Sequence, residues 1–87
     1  MNNFYGILKI EEISDIIFDY YNKCNCYFKI TCSDMDSKFN NRLLMICDGK
    51  IIDEIYKYIN INDYIYVHGR ALNNKFNVIC DRIQILD

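Results

Sequence analysis

The chain has 87 residues, enough for one small domain spanning 1–87 and too few for two. Hydrophobic residues make up 52% of it, which excludes a disordered composition and predicts a packed core. A formal charge of −2 argues against an indiscriminate, strongly basic nucleic-acid binder but leaves room for a locally basic groove.

No basic segment followed by an apolar run opens the sequence, and no apolar run reaches the ~20 residues of a membrane span. The five cysteines, Cys24, Cys26, Cys32, Cys47 and Cys80, are odd in number. Four of them fall on predicted strands, so reduced thiols in a cytoplasmic protein are expected. Cys24 and Cys26 are the only close pair and His68 the only histidine, too few donors for a structural zinc site. No metal or other cofactor is therefore expected. The eight tyrosines accompany a bias toward Ile, Asn, Lys and Asp along the whole chain, so they are not all functional signals.

Residues 4–10 read as a strand interrupted by Gly6, a position that suggests a bulge or a close backbone approach. Residues 11–22 are ambiguous. Ile10, Ile13, Ile16, Ile17, Tyr20 and Tyr21 recur at spacings of three and four, a helical pattern, while the same Ile and Tyr residues favour strand. Taken alone, the pattern leans to helix. Residues 26–32 alternate, with Cys26, Phe28, Ile30 and Cys32 on one side and Tyr27, Lys29 and Thr31 on the other. The polar stretch 33–41 reads as a long hairpin loop around Phe39. Residues 42–47 form a third strand, with Leu43, Met45 and Cys47 opposed to Arg42, Leu44 and Ile46.

A helix is predicted over 49–59 from the stripe Ile51, Ile52, Ile55 and Ile59, with Asp53 and Lys57 paired on the wet side. A turn at 60–63 leads into a fourth strand over 64–72. That strand places Ile65, Val67 and Ala71 inward and Tyr64, Tyr66, His68 and Arg70 outward. Residues 73–75 form a tight turn, and 76–86 the last strand. The order β-β-β-α-β-β, an all-β chain with one helix between strands three and four, is that of a five-stranded OB-fold barrel.

Several stretches resemble the bacterial single-stranded DNA-binding protein family. Gly49-Lys50 opens a helix, Asn62-Asp63 turns the chain, and Tyr66-Val67-His68-Gly69-Arg70-Ala71-Leu72 follows, similar to the family's val-tyr-val-glu-gly-x-leu strand. Gly6-Ile7-Leu8 resembles the gly-arg-leu of its first strand. Phe28-Lys29-Ile30-Thr31 and residues 78–86 match in order as well. The resemblance covers nearly the whole chain and implies strand rather than helix for 11–22. A short, tailless relative, primosomal replication protein n, is similar too. The departures concern function. Arg42 and Asp48 stand where the family has aromatic residues at the ends of its third strand, the last hairpin is cut to 73–75, and the family's acidic tail has no counterpart.

A nucleic-acid groove needs cations along the backbone path and flat side chains for the bases. Tyr27, Lys29, Lys38, Phe39 and Arg42 are the candidate set, on the face that OB folds use for oligonucleotides; a solvated strand face is the plainer alternative. The stripe Tyr64, Tyr66, His68 and Arg70 is the candidate oligomer interface, because tyrosine and arginine are enriched there. His68 has no nucleophile or carboxylate at a catalytic spacing and the three glycines are isolated, so no enzyme is expected. The resemblance implies a homodimer or homotetramer that binds single-stranded DNA without strong sequence preference, in replication, repair or recombination, with protein partners there. RNA fits the same contacts. The alternative is an OB-fold protein-interaction module that has lost nucleic-acid binding.

Overall fold

The computed structural model describes residues 2–19, 25–34, 42–72 and 77–86. Within them the chain runs β1 (Asn2–Ile13), β2 (Ile17–Asp19), β3 (Asn25–Asp34), β4 (Arg42–Asp48), α1 (Gly49–Ile55), β5 (Tyr64–Ala71) and β6 (Asn77–Ile85). The strand order is β1-β5-β6-β4-β3-β2, and a β1–β3 pairing closes the sheet on itself. Five long strands thus make the barrel, with β2 a three-residue extension beside β3. This is the five-stranded OB-fold architecture with its helix between the third and fourth barrel strands.

Closure depends on one long strand. β1 pairs with β5 from Asn2 to Lys9 and with β3 from Leu8 to Ile13. A bulge between Ile10 and Glu12 bends it from one partner to the other, the usual device for turning a barrel corner. Residues 11–19 are accordingly strand and connection rather than helix, as the family resemblance implied and the spacing alone did not. The bulge explains the misleading signal. An extra residue at Glu11 moves the inward positions from Ile10 to Ile13, a step of three that imitates a helical face.

The alternation of the strands becomes the core. Phe28, Ile30 and Cys32 from β3, Met45 and Cys47 from β4, and Ile65 and Val67 from β5 are fully buried, joined by Leu8, Ile10, Val78 and Cys80. Among the described residues no polar or charged side chain is buried. Helix α1 caps one end of the barrel with Ile51 and Ile55, and Ile59 follows from the turn beyond it. The helix is shorter than the predicted 49–59. The Tyr58 amide donates to the Ile55 carbonyl (2.9 Å), a tightened final turn. Tyr56 is the C-cap, its amide donating to the Ile52 carbonyl (3.1 Å), its hydroxyl to the Ser14 carbonyl (3.0 Å), and its ring meets Phe28 edge-on at 4.8 Å. The Asp53–Lys57 pair does not close either. Lys57 Nζ lies 5.5 Å from the Tyr58 ring centroid instead.

The turn over 60–63 forms as predicted. The Asp63 amide donates to the Asn60 carbonyl (3.1 Å), and Asn62 takes a φ of 77°, which asparagine tolerates better than most residues. Two backbone bonds to Ile10 clamp this turn onto β1. Gly6 is not a bulge: it pairs regularly with Val67, and the Phe4 ring lies 3.3 Å from where a Cβ would sit. Gly69 is the stricter glycine. A Cβ there would run into the Ile79 carbonyl oxygen and the Val78 side chain, beside the bulge where β5 and β6 change register. The predicted turn at 73–75 lies outside the described residues.

Candidate nucleic-acid interface

The outward side of β3 and β4 carries what can be described of the first candidate set. Tyr27 and Lys29 both point outward and are half-buried. In register, Lys29 faces Ile46 and Thr31 faces Leu44, so the cation stands beside two half-buried aliphatic side chains. Tyr27 faces Ile17 on one side and the exposed Asp48 on the other. The surface is therefore a flat ring and an apolar floor with Lys29 at its flank.

Lys29 is held firmly through its backbone. Its amide donates to Ser14 Oγ (2.8 Å), and its carbonyl accepts from the Ser14 amide (2.9 Å). Ser14 Oγ in turn donates to the Asp15 carbonyl (2.8 Å). Nothing in the sequence pattern marked Ser14, since its role arises only where β1 crosses β3. Arg42 begins β4 with its backbone opposite Ser33, and Lys38 and Phe39 lie outside the described residues.

The parallel pairing of β4 with β6 extends the row. Ile46 lies opposite Ile79, and Ile79 opposite Arg70 on β5. Arg70 Nη2 lies 3.1 Å from Asp81 Oδ1, an exposed ion pair of the kind worth ~0–1 kcal/mol.

The second candidate set occupies the outer face of β1 and β5. Tyr64, Tyr66, His68 and Arg70 all point outward, as the alternation predicted. Strand β1 adds what the sequence reading missed. Tyr5 lies opposite His68 and Ile7 opposite Tyr66. The Tyr5 and His68 rings stack at 4.4 Å with planes only 5° apart. Tyr5 is 59% exposed, Ile7 47% and Tyr66 38%, an aromatic and aliphatic patch open to solvent. The alternation of residues 4–10 was the signal, because burying Leu8 and Ile10 sends Tyr5 and Ile7 outward.

The thiols form no reactive centre among the described residues. Cys26, Cys32, Cys47 and Cys80 are free, and all but Cys26 are buried. Burial, with the neighbouring Cys80 and Glu11, pushes the Cys32 thiol up to about 12. A hydrogen bond with Cys80, reinforced by burial, raises the Cys47 thiol well above its ordinary range. Such thiols stay protonated at neutral pH and are poor nucleophiles.

Closed barrel, capping helix and outward β3–β4 face together define an OB fold, and solved structures share it closely. The SSB domain of a Synechococcus protein superimposes with a TM-score of 0.78 at 16% identity, over 97% of this chain and 94% of that one. The mitochondrial single-stranded DNA-binding protein of S. cerevisiae gives 0.77 at 15% identity, covering 99% and 94%. The PriB protein of Ralstonia solanacearum gives 0.76 at 9% identity over 98% of both chains. No family model and no curated protein sequence matches the chain. At these identities the likeness establishes the fold; the activity has to be argued from side chains. No helix among the described residues is long and apolar enough to cross a membrane.

Proposed function

We propose that this chain binds single-stranded DNA without strong sequence preference, through the outward face of β3 and β4. The observation that carries the reading is the adjacency of Tyr27, Lys29, Leu44 and Ile46 on one side of a barrel similar to the Synechococcus SSB domain and to the mitochondrial single-stranded DNA-binding protein of S. cerevisiae. Bases stack on Tyr27 and rest against Leu44 and Ile46, each stacked base contributing ~1–3 kcal/mol. Lys29 contacts phosphate, and its anchored backbone limits the ordering required on binding. Lys38, Phe39 and Arg42 complete the set on the strength of the sequence. The activity is binding rather than catalysis, and its setting is DNA replication, repair or recombination in the cytoplasm. Amide chemical shifts titrated with oligo-dT test the location. Movement of Tyr27, Lys29, Leu44 and Ile46 is expected, and movement confined to Tyr5 and His68 would contradict it.

A second reading concerns assembly. The exposed Tyr5, Ile7 and Tyr66 favour a homo-oligomer, a dimer or tetramer, that covers the β1–β5 face with Tyr64, Tyr66, His68 and Arg70 in the contact. If the chain proves to bind no nucleic acid, this face alone would make it a protein-interaction module. Light scattering decides it: a strictly monomeric protein at micromolar concentration would remove the interface.

A further inference from the structure

The main-chain bonding of β3 changes character at Lys29. β1 pairs with β3 as far as Ile13 opposite Ile30, and β2 resumes the pairing with Ile17 opposite Tyr27. Phe28 and Lys29 of β3 therefore stand against one residue more, Ser14, Asp15 and Ile16. A regular ladder cannot pass this corner.

In a hydrogen-bonded antiparallel pair, each residue donates its amide to the carbonyl of the other. Ser14 and Lys29 make only half of that exchange. The Ser14 amide donates to the Lys29 carbonyl (2.9 Å), but the Lys29 amide donates to Ser14 Oγ (2.8 Å) rather than to the Ser14 carbonyl. The displaced carbonyl accepts from the Tyr56 hydroxyl instead (3.0 Å). Ser14 Oγ directs its own proton to the Asp15 carbonyl (2.8 Å), which leaves its lone pairs for the Lys29 amide. A side-chain hydroxyl thus stands in for a main-chain carbonyl in the ladder.

Both main-chain polar groups of Lys29 go to Ser14. A residue in an antiparallel strand sends the two to the same neighbour, so the rung between Lys29 and Ile46 on β4 is the non-hydrogen-bonded kind. Ser14 is then the main-chain anchor of Lys29, and what it anchors is the cation that stands beside Tyr27, Leu44 and Ile46. Tyr56 steadies the anchor from the end of α1, with its ring against Phe28, the residue between Tyr27 and Lys29.

We propose that Ser14 is a positioning residue for nucleic-acid binding at the β3–β4 wall, acting through Lys29 and backed by Tyr56. The inference rests on the DNA-binding reading given above. Removing the hydroxyl leaves the half-buried Lys29 amide without its acceptor, so the strand at Lys29 parts from β1 and the ammonium loses its fixed base.

Fluorescence anisotropy with labelled oligo-dT at one low salt concentration tests it in a double-mutant cycle. Ser14→Ala should weaken binding by about threefold to tenfold, the worth of one such hydrogen bond. In a Lys29→Ala background the same substitution should change affinity by less than about twofold, because no cation is left to position. Ser14→Thr, which keeps the hydroxyl, should bind more tightly than Ser14→Ala. Tyr56→Phe keeps the ring against Phe28 and removes only the bond to the Ser14 carbonyl; it should weaken binding by about twofold, again only where Lys29 is present. That variant carries the test should Ser14→Ala fail to fold. Parental affinity in both Ser14→Ala and Tyr56→Phe, or equal losses with and without Lys29, would overturn the proposal while leaving the DNA-binding reading in place. Failure of the parent chain to bind oligo-dT would remove both.

Discussion

The two outer walls of this barrel share one core and differ in chemistry. On β3 and β4, Tyr27, Leu44 and Ile46 lie half-buried beside a lysine whose backbone is tied down by Ser14. On β1 and β5, Tyr5, Ile7 and Tyr66 stand well exposed, with Tyr5 already stacked on His68. A surface that meets a polyanion needs cations along a track and rings left open for bases. A surface that meets another protein needs apolar area whose burial removes water. The proposed function gives the first wall the former role and the second the latter, and the two are told apart by what stands beside each aromatic residue.

The largest effect expected from separating the walls comes from replacing Lys29, Lys38 and Arg42 together with alanine. Oligo-dT binding should be abolished at moderate salt. Any residual binding at low salt should show a slope of log K against log salt shallower by about 2. Circular dichroism and oligomeric mass should be unchanged. A triple variant that binds as tightly as the parent would place the groove elsewhere.

Breaking what the walls share comes next. Phe28 is fully buried under both and touches Tyr56, so Phe28→Ala should cost ~3–5 kcal/mol by denaturant unfolding. Both walls should then be lost in one transition; separate transitions would show that they are independent units. Gly69→Ala, which drives a Cβ against the β6 backbone, should cost ~1–3 kcal/mol in the same assay.

Two aromatic substitutions sharpen the division. Tyr27→Ala should lose ~1–3 kcal/mol of oligo-dT affinity. The pair Tyr5→Ser and Tyr66→Ser should lower the mass measured by light scattering and leave that affinity alone. Crossed effects would merge the two surfaces into one.

A last effect lies in alkaline pH. The Cys32 thiol ionises at about 12 in the folded chain against 9.0 ordinarily, so the folded state holds its proton more tightly than the unfolded chain does. This stabilisation is complete below pH 9 and declines as pH rises from about 9 to about 12. The melting temperature should fall across that window, and less steeply in Cys32→Ala.

These comparisons show what a sequence reveals of such a fold. Strands with one buried face announce themselves, because period-two alternation puts Phe28, Ile30 and Cys32 on one side and Tyr27 and Lys29 on the other. The same logic placed the outward set on β5. It failed where local geometry breaks the period. The bulge at Glu11 gave residues 10–13 a helical spacing, and α1 ends at Ile55, short of Ile59, where the chain tightens so that the Tyr58 amide bonds the Ile55 carbonyl. Which distant residues meet was not legible in the sequence, even where alternation gave the side each one faces. The Ser14–Lys29 clamp joins residues 15 apart, and the Tyr5–His68 stack joins the first strand to the fifth.

The central claim is that the β3–β4 wall binds single-stranded nucleic acid through phosphate contacts and stacking. Fluorescence anisotropy with labelled oligo-dT at two salt concentrations tests it most directly. The account predicts saturable binding at low salt that weakens markedly at the higher concentration, as released counterions require. No binding at low salt, or binding indifferent to salt, would contradict it.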